Sequence, residues 1–134
     1  MTQKHRATTN TPSQRQLRVG EQLRHIIAET LQRGHFHTAP LLDMAKNITV
    51  TEVRVSPDLK HARAYVVALG GADIAPLLTA LAAEAHIFQK EINRQSALKF
   101  TPKIQFVKDD SFDKAQRIED ILRDIHISEE DMGS

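Results

Sequence analysis

The spacing of the apolar residues changes along this chain, and the change limits the folds that the chain can adopt. From Val19 to Leu31 apolar side chains recur every three or four residues, which is the spacing of one helix face. A β-branched run from Asn47 to Val55 follows, and the helical spacing returns from Ile74 to Ile92. A helix, a hairpin and a second long helix therefore predict a mixed α+β domain.

The first helix has clear boundaries. Ser13 can cap its amino end, and Gly34 stops it. Its apolar positions are Val19, Leu23, Ile26, Ile27 and Leu31. The opposite, wet face holds Arg18, Gln22, His25 and Glu29. The residues from His35 to Met44, which include Pro40, are predicted to form a loop that leads into the first strand.

The β-branched run predicts one strand of an antiparallel hairpin. Its apolar residues fall at both even-numbered and odd-numbered positions, so a bulge near Thr51 is needed to bring them to one face of the sheet. The buried positions would then be Ile48, Val50, Val53 and Val55. Turn residues at positions 56–58 and an alternating run from Ala62 to Leu69 complete the hairpin.

The third apolar stretch predicts a long helix that packs on the sheet. Its apolar stripe comprises Ile74, Leu78, Leu81, Ala85, Phe88 and Ile92. A straight helix from Asp73 to Ala97 would be long for so small a domain, so we expect an interruption. Pro102 ends the helical region, and Ile104 with Phe106 predicts a third short strand.

A further helix is expected after this strand, capped by Asp110 or Ser111. Its predicted buried positions are Ile118, Ile121, Leu122 and Ile125. Residues 1–12 are polar and are expected to form a disordered arm, and residues 128–134 are expected to form an acidic tail. The sequence therefore predicts one domain over residues 13–127.

Composition narrows the class of protein. The chain has no cysteine, which excludes disulfides and thiolate metal sites, and no apolar run approaches the ~20 residues that span a bilayer. We therefore expect a cytoplasmic protein without a membrane partner. Residues 1–108 hold 15 basic and 8 acidic side chains, a balance of +7, and the remainder holds 3 basic and 9 acidic, a balance of −6. This asymmetry is typical of a cationic surface facing a polyanion, and equally of an ordinary solvated surface with an acidic tail.

The sharpest candidate site is a row of basic residues on the long helix. His86, Lys90 and Arg94 recur every four residues on the side away from the apolar stripe, where such a row can follow the phosphates of a nucleic acid. The alternative is a helix surface that its charges merely keep soluble. Ile87 falls on the same outward side, so either a kink re-aims it or it contacts a base or a partner.

No catalytic constellation accompanies this row. His35 and His37 could be half of a metal site, but no further ligands converge in the sequence, so no metal is expected. Asp109 and Asp110 are placed to cap the next helix rather than to act as a paired acid and base. Nucleophile elbows and glycine-rich phosphate loops do not occur in the sequence. We therefore expect a binding protein with no catalytic residues and no cofactor.

Short motifs occur in a fixed order along the chain. They are Ser13-Gln14-Arg15, Val53-x-Val55-Ser56-x-Asp58-Leu59-x-x-Ala62-x-x-Tyr65-Val66, and Pro102-x-Ile104-x-Phe106-x-x-Asp109 with Ser111. Together they resemble the bacterial ribosome-binding factor A family over nearly all of Ser13 to Asp124. The resemblance implies a type II KH-like fold of order α-β-β-α-kink-α-β, here with an additional C-terminal helix. The implied kink falls on Ala85-His86-Ile87, and because Ile replaces the family's glycine there we expect a shallower interruption.

The resemblance also implies a function. It implies a factor that binds the immature small ribosomal subunit and its rRNA, assists late maturation near the 5′ end of that RNA, supports growth in the cold and leaves before translation. A ribosome-associated GTPase is the implied partner for release, and we expect a monomer. The predicted phosphate contacts are Arg15, Arg18, Lys60, Arg63, His86, Lys90 and Arg94. The alternative is a protein-interaction module that docks another assembly factor through an apolar patch around Ile87 and the acidic last helix.

Overall fold

The computed structural model describes residues 11–111 and 117–123. In these ranges, helices cover one face of a three-stranded sheet of order β1-β2-β3. The elements are α1 (Gln14–Arg33), α2 (Ala39–Met44), β1 (Ile48–Val55), β2 (His61–Ala68), α3 (Ile74–Ala83), α4 (Ala85–Gln95) and β3 (Lys103–Lys108). Residues 117–123 are also helical. The predicted α+β fold with a type II KH-like element order is confirmed, with α2 inserted between α1 and β1.

The first helix begins and ends where the sequence predicts. Ser13 Oγ accepts a hydrogen bond from Gln16 N at 3.1 Å, and Gln16 Oε1 accepts one from Ser13 N at 2.9 Å, which together form a capping box. Gln16 Nε2 also donates to the Val55 carbonyl at 2.9 Å, so the cap is tied to the end of β1. The helix is capped at Gly34. The predicted apolar positions are buried, and the predicted wet face is exposed.

A close approach joins α1 to the sheet at Gly20. A β-carbon added to this glycine would lie 2.5 Å from the carbonyl oxygen of Val53, which is well inside van der Waals contact. Only a residue without a side chain therefore lets the helix lie this near the strand. The contact fixes the distance between the helix layer and β1.

The hairpin contains the predicted bulge. The antiparallel pairing of β1 with β2 shifts register between Val50 and Glu52. As a result, the four predicted positions of β1 are all buried on one face, namely Ile48, Val50, Val53 and Val55. β3 pairs with β2 in parallel, so β2 is the central strand.

The loop prediction is wrong for residues 39–44, which form α2. Pro40 lies in the first turn of this helix, where its missing N–H is not needed for an intrahelical hydrogen bond. Leu41 is buried in the core, and this contact stabilises the short helix. Pro40 therefore marks the first turn of a helix and not an irregular segment.

The long helix is interrupted, as expected, but at a different residue. The break lies at Glu84, which has φ −112° and ψ 23°, and Ala85 already begins α4. The predicted kink on Ala85, His86 and Ile87 is therefore displaced by one residue, because the side chain of Glu84 turns inward to bind the backbone of another segment. Phe88 remains buried and its ring lies 4.9 Å from that of Phe106, measured between centroids.

The predicted burial of the last helix is wrong in the described part. Ile118, Ile121 and Leu122 are 58%, 52% and 59% exposed. The helices α1, α3 and α4 pack on the face of the sheet that carries the core, and residues 117–123 contribute no side chain to that core. Ile125, residues 1–10 of the predicted arm and the predicted tail at 128–134 lie outside the described residues.

Candidate functional site

The predicted row on α4 lines one wall of an exposed groove between α4 and the end of α1. Burial of Phe88 and Ile92 directs the opposite face of α4 outward. The groove has a volume of ≈ 590 Å³. We call it the helix groove. Its basic residues are Arg33, His35, His37, His86, Lys90 and Arg94. The structure therefore joins three predicted residues with three from another part of the chain.

Ion pairs partly neutralise the helix groove. Arg94 pairs with Glu91 at 2.6 Å, and Arg33 pairs with Glu29. The hydrogen bond from Arg94 lowers the pKa of Glu91, and the same bond raises the pKa of Arg94. The Arg94 side chain is still 63% exposed, and a guanidinium has five N–H donors, so it can bind a phosphate while it holds Glu91. Among the described residues, Lys90 forms no salt bridge.

A buried carboxylate holds one wall of the helix groove in place. Glu84 is 3% exposed, and its oxygens accept hydrogen bonds from His37 N at 2.7 Å, Thr38 N at 2.9 Å and Thr38 Oγ1 at 2.6 Å. Burial raises the pKa of the Glu84 carboxyl, but the hydrogen bonds from Thr38 and His37 outweigh this effect, so the pKa lies below its usual value. Sequence reasoning missed this residue. The available signal was a charged residue between Leu81 and Phe88, on the apolar stripe.

The helix break also decides the position of Ile87. Its side chain is half-buried and packs against the core, although a straight helix would place it outward. Ile87 contributes to the floor of the helix groove rather than to an exposed apolar patch. Ile87 therefore offers little exposed apolar surface for the protein-interaction alternative.

A second group of cations lies at the amino end of α1, and we call it the hairpin corner. It contains the predicted Arg15 and Lys60, together with Lys99 and Phe100, around a groove of ≈ 270 Å³. The ammonium nitrogens of Lys60 and Lys99 each lie 5.5 Å from the centroid of the Phe100 ring. Sequence reasoning missed Lys99 and Phe100, since both belong to an irregular segment before β3.

Arg63 lies elsewhere, on the open face of the sheet. It is paired across the strands with Arg54 on one side and Gln105 on the other. The guanidinium of Arg54 lies 5.4 Å from the centroid of the Tyr65 ring and pairs with Glu52 at 2.7 Å. This face and the outer side of the helix layer lie on opposite sides of the sheet.

The predicted cations therefore do not form one surface. His86, Lys90 and Arg94 lie in the helix groove, Arg15 and Lys60 lie in the hairpin corner, and Arg63 lies on the open sheet face. Arg18 is exposed on α1 and lines neither groove. Arg15 and Arg33 are separated by 18 residues of one helix, or about 27 Å, so the two grooves lie at opposite ends of α1.

Asp109, the first residue of the acidic pair after β3, has a structural role. Asp109 Oδ1 accepts hydrogen bonds from Ser111 N at 2.9 Å and from Ser111 Oγ at 2.5 Å, and Thr51 donates to its other oxygen. The hydrogen bond from the Ser111 hydroxyl is the main cause that lowers the pKa of Asp109. A carboxylate held in its ionised form in this way is suited to capping rather than to proton transfer.

The described residues contain neither a metal-binding cluster nor a membrane-spanning helix. Within 11–111 and 117–123, no three His, Asp or Glu side chains lie close enough to hold a metal ion. The same ranges contain no helix long and apolar enough to cross a membrane.

The fold and its exposed basic grooves define a small KH-like α+β domain. The model of the family described as "Ribosome-binding factor A" matches residues 15–122. The chain belongs to this family. Ribosome-binding factor A of Paramagnetospirillum magneticum is 52% identical over 111 residues, which are 83% of this chain and 77% of the relative.

Solved structures show the same fold. The crystal structure of ribosome-binding factor A from Thermus thermophilus is 22% identical, has a TM-score of 0.57, and the match covers 69% of this chain and 94% of that one. A homology model of the Thermus thermophilus factor, fitted into the cryo-EM map of a 30S–RbfA complex, is 24% identical with a TM-score of 0.53, and the match covers 68% of this chain and 91% of that one.

Proposed function

We propose that this protein binds the immature small ribosomal subunit as a non-catalytic assembly factor in the cytoplasm. It assists late maturation of the rRNA, including processing at the 5′ end. It also supports growth at low temperature. Membership of the ribosome-binding factor A family and the structural likeness to the protein fitted into a 30S complex support this proposal.

The main structural observation behind the proposal is that basic residues from two helices meet in the helix groove. Lys90 and Arg94 lie one turn apart on α4, and Arg33 faces them from α1. Phosphates that enter the groove release condensed counterions, which favours binding without reading a base sequence. Arg15, Lys60 and Arg63 provide further contacts at the hairpin corner and on the sheet face.

The protein acts on the RNA by differential affinity. A groove of fixed shape binds one arrangement of RNA phosphates better than another, so the bound RNA shifts toward the favoured arrangement without any covalent step. The buried Glu84 and the capping Asp109 are both engaged in hydrogen bonds that shape the fold. Their engagement supports a binding role rather than acid–base catalysis.

Co-sedimentation with small subunits from a native extract tests the proposal. The double variant Lys90→Ala/Arg94→Ala should bind more weakly than the wild type, and the slope of log affinity against log salt should fall by about one per lost phosphate contact. The matched control is Arg24→Ala/Arg117→Ala, which removes the same charge outside the proposed contacts. Equal weakening in both variants, or unchanged binding in the first, would remove the site assignment.

A protein partner is the second candidate, and the exposed last helix favours it. Ile118, Ile121 and Leu122 present apolar side chains to solvent on residues 117–123. A ribosome-associated GTPase that releases the factor could dock there, while the free protein stays a monomer. Binding through this face would be nearly independent of salt and would be lost in Leu122→Asp. RNA binding through the helix groove would be unchanged in that variant.

A further inference from the structure

Phe100 is an aromatic residue in an unusual position. It is 55% exposed, whereas Phe36, Phe88 and Phe106 are buried in the core. Its ring lies in the segment between α4 and β3. More than half of the Phe100 side chain therefore lies in water, which leaves its ring open to a ligand.

The surroundings of Phe100 are cationic. Lys60 and Lys99 each place an ammonium nitrogen 5.5 Å from the ring centroid, and Arg15 lines the same groove. The carboxylate in this corner, Asp58, accepts hydrogen bonds from Ser56 Oγ at 2.6 Å and from Lys60 N at 3.0 Å and keeps its negative charge. Three cations against this one carboxylate leave a net positive charge around the exposed ring.

A nucleotide complements both properties. Its base has a flat face that can stack on the Phe100 ring when a lysine ammonium that lies over the ring moves aside, and its phosphate can then bind that ammonium. A duplex offers phosphates to the same cations but keeps its bases stacked on one another. The hairpin corner should therefore distinguish unpaired from paired RNA, whereas the helix groove needs phosphates only.

We propose that the hairpin corner binds one unpaired nucleotide of single-stranded RNA, with the base on the Phe100 ring and its flanking phosphates on Arg15, Lys60 and Lys99. This inference rests on the proposed function and deepens it, because it names the form of RNA that the hairpin corner binds. The two grooves are about 27 Å apart along α1, which exceeds the screening length at physiological salt, so their charges attract RNA independently of each other. The stacking contact distinguishes single-stranded from double-stranded RNA and accepts any base.

Tryptophan fluorescence can report the contact directly, because the chain contains no tryptophan. Phe100→Trp places one fluorophore in the hairpin corner. Leu69→Trp is the matched control, since Leu69 is also 55% exposed but follows the far end of β2. The probe is a mixed-sequence RNA of about ten nucleotides, within the site size of single-strand binders, used alone and annealed to its complement.

The single-stranded probe should quench Phe100→Trp and leave Leu69→Trp nearly unchanged, and the duplex should quench Phe100→Trp less. In the protein without an introduced tryptophan, Phe100→Ala should weaken binding of the single-stranded RNA on the order of tenfold, while Phe100→Tyr should retain the affinity. Equal quenching of both variants, equal quenching by the duplex, or unchanged affinity of Phe100→Ala would each overturn the stacking contact.

Failure of this inference is distinguishable from failure of the proposed function. Wild-type protein that sediments with the small subunit, together with an unquenched Phe100→Trp, would remove only the stacking contact. Wild-type protein that does not sediment with the subunit would overturn the proposed function itself.

Discussion

Glu84 allows the sharpest test of the reasoning about this fold. Its two carboxylate oxygens have different partners: Oε1 accepts from His37 N, and Oε2 accepts from Thr38 N and Thr38 Oγ1. In Glu84→Gln, the amide oxygen can keep the two Thr38 bonds, but the amide nitrogen then faces the N–H of His37. A donor that faces a buried donor costs about 1–3 kcal/mol.

Glu84→Ala should be more damaging than Glu84→Gln. It leaves two backbone N–H groups without their acceptor and opens a gap at the helix break, so we expect a loss of about 2–5 kcal/mol. Thr38→Val is the control, because it removes only the hydroxyl bond and should cost about 1 kcal/mol. Urea unfolding of the three variants measures these free energies. A Glu84→Gln variant as stable as wild type, or a Thr38→Val variant as damaged as Glu84→Ala, would refute the assigned role.

The pH dependence of stability provides an independent check on Glu84. Its pKa in the folded state lies below the usual value of 4.5. Its contribution to stability is therefore complete above the unfolded pKa and is lost as the pH falls through the folded pKa. The difference in unfolding free energy between wild type and Glu84→Gln should be constant near neutrality and should shrink below about pH 4.5. A difference that grows on acidification would contradict this sign.

Three further predictions concern stability and are measured by thermal or urea unfolding. Gly20→Ala should destabilise the protein by about 1–3 kcal/mol, because its β-carbon would clash with the Val53 carbonyl, although the same change stabilises an exposed helix. Ser13→Ala should cost about 0.5–2 kcal/mol through loss of the capping box with Gln16, and a cost of zero would contradict the cap. Ile121→Asp should change stability by less than about 0.5 kcal/mol, since the residue is exposed, and a large loss would restore the burial predicted from the sequence.

The parts of the fold that depend on burial could be predicted from the sequence. The apolar spacing predicted α1 and most of the stripe across α3 and α4, although Leu77 is buried and the predicted Leu78 is only half-buried. The shift of the apolar residues from even to odd positions around Thr51 predicted the bulge. Each prediction follows from which side chains must leave water. The last helix shows the limit of this reasoning. Its amphipathic pattern predicts an apolar face, but not whether any core surface remains for that face to cover.

The parts that depend on long-range hydrogen bonds could not be predicted. The break at Glu84 depends on the backbone of His37 and Thr38, which is 47 and 46 residues away in the chain. No local pattern encodes such a partner. The same limit applies to the candidate site: helical spacing predicted that His86, Lys90 and Arg94 point outward, but it wrongly placed Ile87 outward and did not predict that Arg33 would face the row.

The contact between Glu84 and residues 37–38 links stability to binding, and the two effects can be separated. Glu84 lies beneath the helix groove and holds the segment that carries His35 and His37, yet it is buried and cannot contact RNA itself. Glu84→Gln should therefore lower both stability and RNA affinity, while Lys90→Ala/Arg94→Ala should lower affinity and leave the unfolding free energy almost unchanged. Salt distinguishes the two causes of weaker binding: the slope of log affinity against log salt should fall only in the Lys90/Arg94 variant, because the Glu84 variant retains every cation. A Lys90/Arg94 variant that keeps the wild-type slope would mean that the groove binds RNA by its shape and not by its charge.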